Sequence, residues 1–148
     1  MKIPPPVVLL VGAILIYGAA RYFPGAGFRL PGGWWTAGAI MAVGLCIDLL
    51  SVMTFRRSRT TVNPIKVEQA SSLVTSGPFR FSRNPMYLGM AILLTGFGLG
   101  MGTWATPFIV GLFVWWITVQ QIAREEPAME ALFGDDFRAY RTKVRRWL

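Results

Sequence analysis

The sequence predicts an all-α integral membrane protein with four transmembrane helices and a C-terminal amphipathic cytoplasmic helical tail. Three observations carry that expectation. Hydrophobic residues make up 53% of the 148-residue chain, and the mean hydropathy of +0.47 is well above that of a soluble globular domain. Charged residues are only 15% of the chain, and they cluster. Four apolar segments approach the ~20 helical residues needed to cross a hydrocarbon core of ~30 Å. The length suits one domain over residues 1–148.

The first span is expected over 6–23. Pro4, Pro5 and Pro6 suit its start, because proline lacks an N–H that the first helical turn leaves unpaired anyway. Pro24, Gly25 and Gly27 end it. Met1-Lys2 before an apolar run also fits a signal peptide, but the run is long for one, and Ala19-Ala20-Arg21 is a poor cleavage context. The second span, 34–55, opens after Gly32-Gly33 and closes at Arg56-Arg57. The third, 86–101, is short. Only Gly102 and Thr103 separate it from the fourth, 104–123, so the two form a tight hairpin.

Basic residues set the orientation of such a bundle. With four spans, thirteen of the fifteen lysines and arginines fall on one side and two, Arg21 and Arg29, on the other. Both termini and the 56–84 connection are therefore expected in the cytoplasm, for a protein of the cell (inner) membrane. The net charge of +8 follows from this bias and from anionic headgroups. No basic face stands apart from the spans to bind nucleic acid. The chain has no histidine and one cysteine, Cys46. Histidine metal ligands, a histidine base, internal disulfides and cysteine zinc clusters are thereby excluded.

The 56–84 connection is long for so small a protein. Its apolar residues Val62, Ile65, Val67, Leu73, Val74, Phe79 and Phe81 predict an ordered, packed segment, with turns at Asn63-Pro64 and Gly77-Pro78. In the tail, 124–148, Phe133, Phe137, Tyr140, Val144 and Trp147 recur in steps of three and four, a helical stripe suited to docking. Gly134 interrupts it, and Asp135 is expected to cap the helix that follows.

Three sets of polar residues could carry chemistry. Glu125-Glu126 ends the last span. Two adjacent carboxylates there cannot both be buried without cationic partners: they are either solvated boundary residues paired with Arg124 or Arg80, or a recognition site for a cationic ligand. In Arg83-Asn84-Pro85-Met86-Tyr87, Pro85 reads as the first helical residue and Asn84 as its N-cap. Arg80 and Arg83 beside that helix start make an anion site or a phosphate anchor. Asp48 is an acid inside an apolar run, with a structural partner, a snorkelling contact and a catalytic role all open.

The second half of the chain resembles the isoprenylcysteine carboxyl methyltransferase family and, more loosely, the membrane phospholipid N-methyltransferases. The motifs are Gly77-Pro78-Phe79, Arg83-Asn84-Pro85-Met86-Tyr87-Leu88-Gly89, an apolar hairpin, Glu125-Glu126, Leu132-Phe133-Gly134, Phe137, Tyr140, and Val144 with Arg146-Trp147. The chain departs from the pattern where Asn84 stands for a histidine, Phe137 for a tyrosine, and Pro127 directly follows the acidic pair. The N-terminal half is short, with two spans before the motifs.

The resemblance implies an enzyme that uses S-adenosylmethionine. Glu125 and Glu126 would contact its amino or hydroxyl groups, and Gly77, Pro78, Phe79, Asn84, Pro85 and Tyr87 would hold the rest, with the tail and Tyr140 closing over it. The acceptor would be a lipophilic small molecule or lipid arriving through the membrane. A carboxylate acceptor would be oriented by Arg83, with its head near Tyr87. An amine would need Glu125 or Glu126 as base. An isoprenylcysteine-type carboxylate, a phospholipid amine and a small thiol all stay open, and a small four-helix transporter or scaffold is the alternative class.

Overall fold

The computed structural model describes residues 3–58 and 72–148 and is built from helices. They are α1 (Pro5–Tyr22), α2 (Gly33–Arg57), α3 (Pro85–Met101), α4 (Thr106–Ile117) and α5 (Ala123–Lys143). Short 3-10 turns cover Pro24–Ala26 and Gly77–Arg80. Val62, Ile65, Val67 and the Asn63-Pro64 turn lie outside the described residues.

The first three helices follow the apolar runs. α1 starts at its prolines, and α3 starts at Pro85 with Asn84 in the N-cap position. Asn84 does not cap with its side chain, however. Its amide is spent on the tail, as described below. Three helical stretches are long and apolar enough to cross a membrane: Pro5–Tyr22, Gly33–Arg57 and Thr106–Lys143. α3 has 17 residues, at the short end of the spanning range.

The last span and the tail differ from the expected division. α4 does not stop near residue 123. It passes through a π-helical turn, Thr118–Ile122, straight into α5. The change from apolar to polar sequence at Arg124 marks a change of surroundings, not a helix end. Pro127 sits inside α5, where it removes one N–H from the ladder. Gly134 does interrupt the rod, with φ 50° and ψ −121°. Asp135 caps nothing; its Oδ1 accepts from Arg138 Nε at 3.1 Å and Nη2 at 2.5 Å.

α3 is the central helix and packs against α1, α2 and α4. Its core partners are Ile16 of α1 and Phe113 and Ile117 of α4, around its own Tyr87, Ala91 and Leu94. The α2–α3 contact is made by small residues, as close helix pairs in membranes require. A Cβ on Gly89 would lie 2.7 Å from the Gly44 carbonyl oxygen and 2.7 Å from Asp48 Cγ. Asp48 therefore rests its carboxylate in the notch that Gly89 leaves, and its buried Oδ1 has no hydrogen-bond partner.

The two ends of the bundle are tied separately. At one end, Gly102 takes a left-handed φ of 65° and its carbonyl accepts from the Phe28 N–H at 2.7 Å. The turn spans Gly102–Ala105, longer than the two residues expected, because α4 begins only at Thr106. At the other end, Gln121 Nε2 donates to the Ile3 carbonyl at 2.7 Å. The start of α1, the start of α3 and the α4–α5 junction thus share one end. Exposed Tyr22, Phe23, Trp34, Trp35 and Trp104 crowd the opposite end, the aromatic signature of a membrane boundary.

Candidate active site

The site grows from the turn before α3. Gly77 has φ 59°, and a Cβ there would lie 2.8 Å from Thr54 Oγ1, so the turn rests directly on the end of α2. Phe79 is buried and meets Phe55 edge-on, with ring centroids 4.9 Å apart. Its carbonyl accepts from the Tyr140 hydroxyl at 2.6 Å. Burial pushes that phenol up to about 12, against the lowering effect of Arg83. Phe79 and Tyr140, both candidates for cofactor contact, therefore fasten α2, the turn and α5 together. The Pro78 carbonyl accepts from Phe81 N–H at 3.1 Å and closes the turn. Val74 and Phe79 pack as expected, whereas Phe81 is 74% exposed, with its ring turned away from the core.

Beyond that turn, residues 82–84 run beside residues 145–147. Arg83 N–H donates to the Arg145 carbonyl at 2.9 Å. Asn84 Nδ2 donates to the Arg146 carbonyl at 3.0 Å, and Ser82 Oγ donates to the same oxygen at 3.4 Å. Buried Ser82 Oγ also accepts from Asn84 N–H at 3.1 Å. Ser82 was not legible as a site residue, because a lone serine in a basic block gives no signal.

The acidic pair divides between two partners. Tyr87 of α3 donates its hydroxyl to Glu125 Oε1 at 2.6 Å. Glu126 takes Arg146 in a two-pronged pair, with Nε–Oε1 at 3.1 Å and Nη2–Oε2 at 2.6 Å. Arg83 Nη1 approaches Glu126 Oε1 at 3.1 Å. The Arg83 and Glu126 side chains are 11% and 14% exposed and so largely desolvated, whereas Arg146, at 40%, reaches solvent. Burial lowers the guanidinium of Arg83 from its ordinary value, opposed by Glu126. Hydrogen bonding to Glu126 raises that of Arg146.

Arg83 Nε and Nη1 are buried with no hydrogen-bond partner, although Nη1 is ion-paired. Their N–H groups suit a carboxylate or phosphate. Arg83, Asn84, Pro85, Tyr87, Glu125 and Glu126 are thus brought together at one end of the bundle, beside Gly77, Pro78 and Phe79. Asp48 stands apart. It meets α3 at Gly89, two residues and roughly 200° around the helix from Tyr87.

Fold and cluster together define an integral membrane protein with a polar, arginine-rich and carboxylate-rich site where its helices leave the apolar layer. A family model of the phospholipid methyltransferases matches residues 33–136, and the chain belongs to that family. Protein-S-isoprenylcysteine O-methyltransferase A of Arabidopsis thaliana is 31% identical over 125 residues, 82% of this chain and 61% of that protein. Protein-S-isoprenylcysteine O-methyltransferase of Schizosaccharomyces pombe is 33% identical over 72 residues, 49% of this chain and 30% of that protein. An uncharacterized protein of Haemophilus influenzae is 43% identical over 63 residues, 43% of this chain and 100% of that protein. The chain therefore spans less than two thirds of the two named methyltransferases. No solved structure matches it.

Proposed function

We propose that this chain is an S-adenosylmethionine-dependent methyltransferase working at the cytoplasmic membrane face on a lipophilic acceptor, with an isoprenylcysteine-type carboxylate as the favoured substrate. The observation that carries the reading is the joining of Tyr87–Glu125 to Arg83–Glu126–Arg146 at the edge of an apolar bundle. That cluster sets two carboxylates where a cationic group could meet them, beside Arg83, whose Nη1 is ion-paired to Glu126 and whose buried Nε has no hydrogen-bond partner.

The residues fit a cofactor that carries an ammonium, a carboxylate and a sulfonium. Glu125 and Glu126 would hold its cationic and hydroxyl groups, and the backbone of Gly77–Pro78 and the first turn of α3 at Pro85–Tyr87 would cradle the remainder. When bound, it supplies a methyl group for in-line displacement. A carboxylate acceptor is already a nucleophile at neutral pH, so the protein's task is alignment and exclusion of water. Arg83 would orient it. An amine acceptor would need a base, and Glu125 and Glu126 would face the cofactor's cationic group in addition to Tyr87, Arg83 and Arg146. The arrangement therefore favours an acceptor that arrives deprotonated.

Labelled S-adenosylmethionine with a panel of prenylcysteine analogues, phosphatidylethanolamine and lipophilic thiols tests this. Turnover is expected with the carboxylate class. Glu125→Gln and Glu126→Gln should each weaken cofactor affinity about tenfold to a hundredfold, the worth of a hydrogen bond to a charged group. Arg83→Ala should cut turnover far more than cofactor affinity. Turnover confined to water-soluble acceptors, or unchanged affinity in both glutamine variants, would overturn the reading.

Orientation is open to a separate measurement. In a Cys46→Ala background, Gly25→Cys should react with an impermeant thiol reagent from outside, and Leu148→Cys only after permeabilisation. A Cβ at Gly25 meets nothing within 4 Å, and Leu148 is exposed, so neither change disturbs packing. The reverse pattern would place the site on the outer face.

A further inference from the structure

The π turn between α4 and α5 is held from outside itself. Thr118, its first residue, donates its hydroxyl to the Val114 carbonyl at 2.7 Å and accepts the indole N–H of Trp147 at 3.2 Å. The Trp147 ring packs on the core cluster that contains Tyr87, Ile117 and Ile122. Its neighbours Arg145 and Arg146 are bound through their carbonyls to residues 82–84. Residues 145–147 are therefore fastened to the start of α3 on one side and to the π turn on the other.

The π turn sets where the acidic pair points. In an unbroken α-helix, Glu125 would stand eight residues beyond Ile117 and about 80° around from it. A π turn absorbs one extra residue, which takes back about 100° and leaves Glu125 within about 20° of the Ile117 face. Ile117 is fully buried against the same cluster as Tyr87, so this is the face on which Glu125 can accept the Tyr87 hydroxyl. Five-residue π turns are uncommon and seldom stable alone. This one has a partner at its first residue, Trp147, and another near its end, where Gln121 is tied to Ile3.

We propose that Trp147 is a positioning residue for the acidic pair: its bond to Thr118 holds the π turn, and the π turn keeps Glu125 and Glu126 facing Tyr87 and Arg83. The expected effect on cofactor affinity rests on the function proposed above; the effect on the helix does not.

The experiment uses the full chain in detergent, with Trp147→Phe, Thr118→Val, both together, and Thr118→Ser. Trp147→Phe keeps a ring and loses the N–H. Thr118→Val keeps the shape and loses the hydroxyl. Amide hydrogen exchange over residues 118–123, without cofactor, should quicken roughly threefold to tenfold in each single variant, the effect of one net hydrogen bond. Trp147→Phe should add nothing in the Thr118→Val background, and Thr118→Ser should behave as the parent. With S-adenosylmethionine, affinity should fall by a similar factor while KM for the acceptor holds. Unchanged exchange, or multiplying effects in the double variant, would overturn the proposal, as would Thr118→Ser behaving like Thr118→Val. If the parent binds no S-adenosylmethionine, the proposed function falls, and the exchange comparison still decides the latch.

Discussion

Gly89→Ala is expected to destabilise the bundle by about 3 kcal/mol, the upper end for overpacking. The added methyl would enter a space bounded by the Gly44 carbonyl oxygen and the Asp48 carboxylate. A flexible side chain can move aside; helix backbone cannot. Asp48→Ala in the same background should therefore recover only part of the loss, because the Gly44 oxygen stays 2.7 Å from the new carbon. Thermal unfolding in detergent reads both effects. An unshifted midpoint for Gly89→Ala would mean that α2 and α3 are not held at this distance. Full recovery by Asp48→Ala would place the whole conflict on the side chain.

Glu126→Ala should cost more than Arg83→Ala, although the two residues are partners. Removing Glu126 takes away the carboxylate that the two guanidinium groups share, one of them on a side chain only 11% exposed. Breaking a buried pair in this way costs about 3–5 kcal/mol. Arg83→Ala leaves Glu126 in its two-pronged pair with Arg146, so about 1 kcal/mol is expected, the size of one ordinary hydrogen bond. Combining the two changes should give a protein more stable than Glu126→Ala alone, since one stranded charge has gone. Equal losses for the two single variants would show that Arg146 does not hold Glu126 unaided.

The apolar helices were legible because hydrophobic run length and proline or glycine boundaries are local properties. α1, α2 and α3 begin and end within two residues of the expected limits. The junction after α4 was not legible. Arg124 begins a polar sequence, and polarity reports the surroundings of a helix rather than its continuity. A π turn costs one residue of register and leaves no compositional trace. The site residues themselves could be named, since paired carboxylates at a span end and a basic helix start are chemically conspicuous. Their division of labour could not. Whether Glu125 or Glu126 meets the arginines depends on the helical phase that the π turn sets.

Asp48 and Asn84 show the same limit. Asp48 had three open readings until Gly89 supplied a notch that only the packed pair of helices reveals. Asn84 occupies the expected N-cap position, but its amide serves a carbonyl 62 residues away. Nothing local in the sequence signals so distant a partner.

That separation bears on how the protein is made. Every apolar helix lies ahead of residues 145–147 in the chain, and the pairing of α1, α2, α3 and α4 is made without them. Without residues 145–147, Arg83 keeps its ion pair with Glu126, while the Arg83 N–H and the Asn84 amide lose the carbonyls of Arg145 and Arg146. Closing such a long loop is slow compared with pairing neighbouring helices. Helix pairing and closure of the polar end are thus separable by sequence distance, and the second is the slower to form. A chain lacking that closure would keep its paired helices and lose the arrangement of Arg83, Asn84 and Glu126 with Arg146.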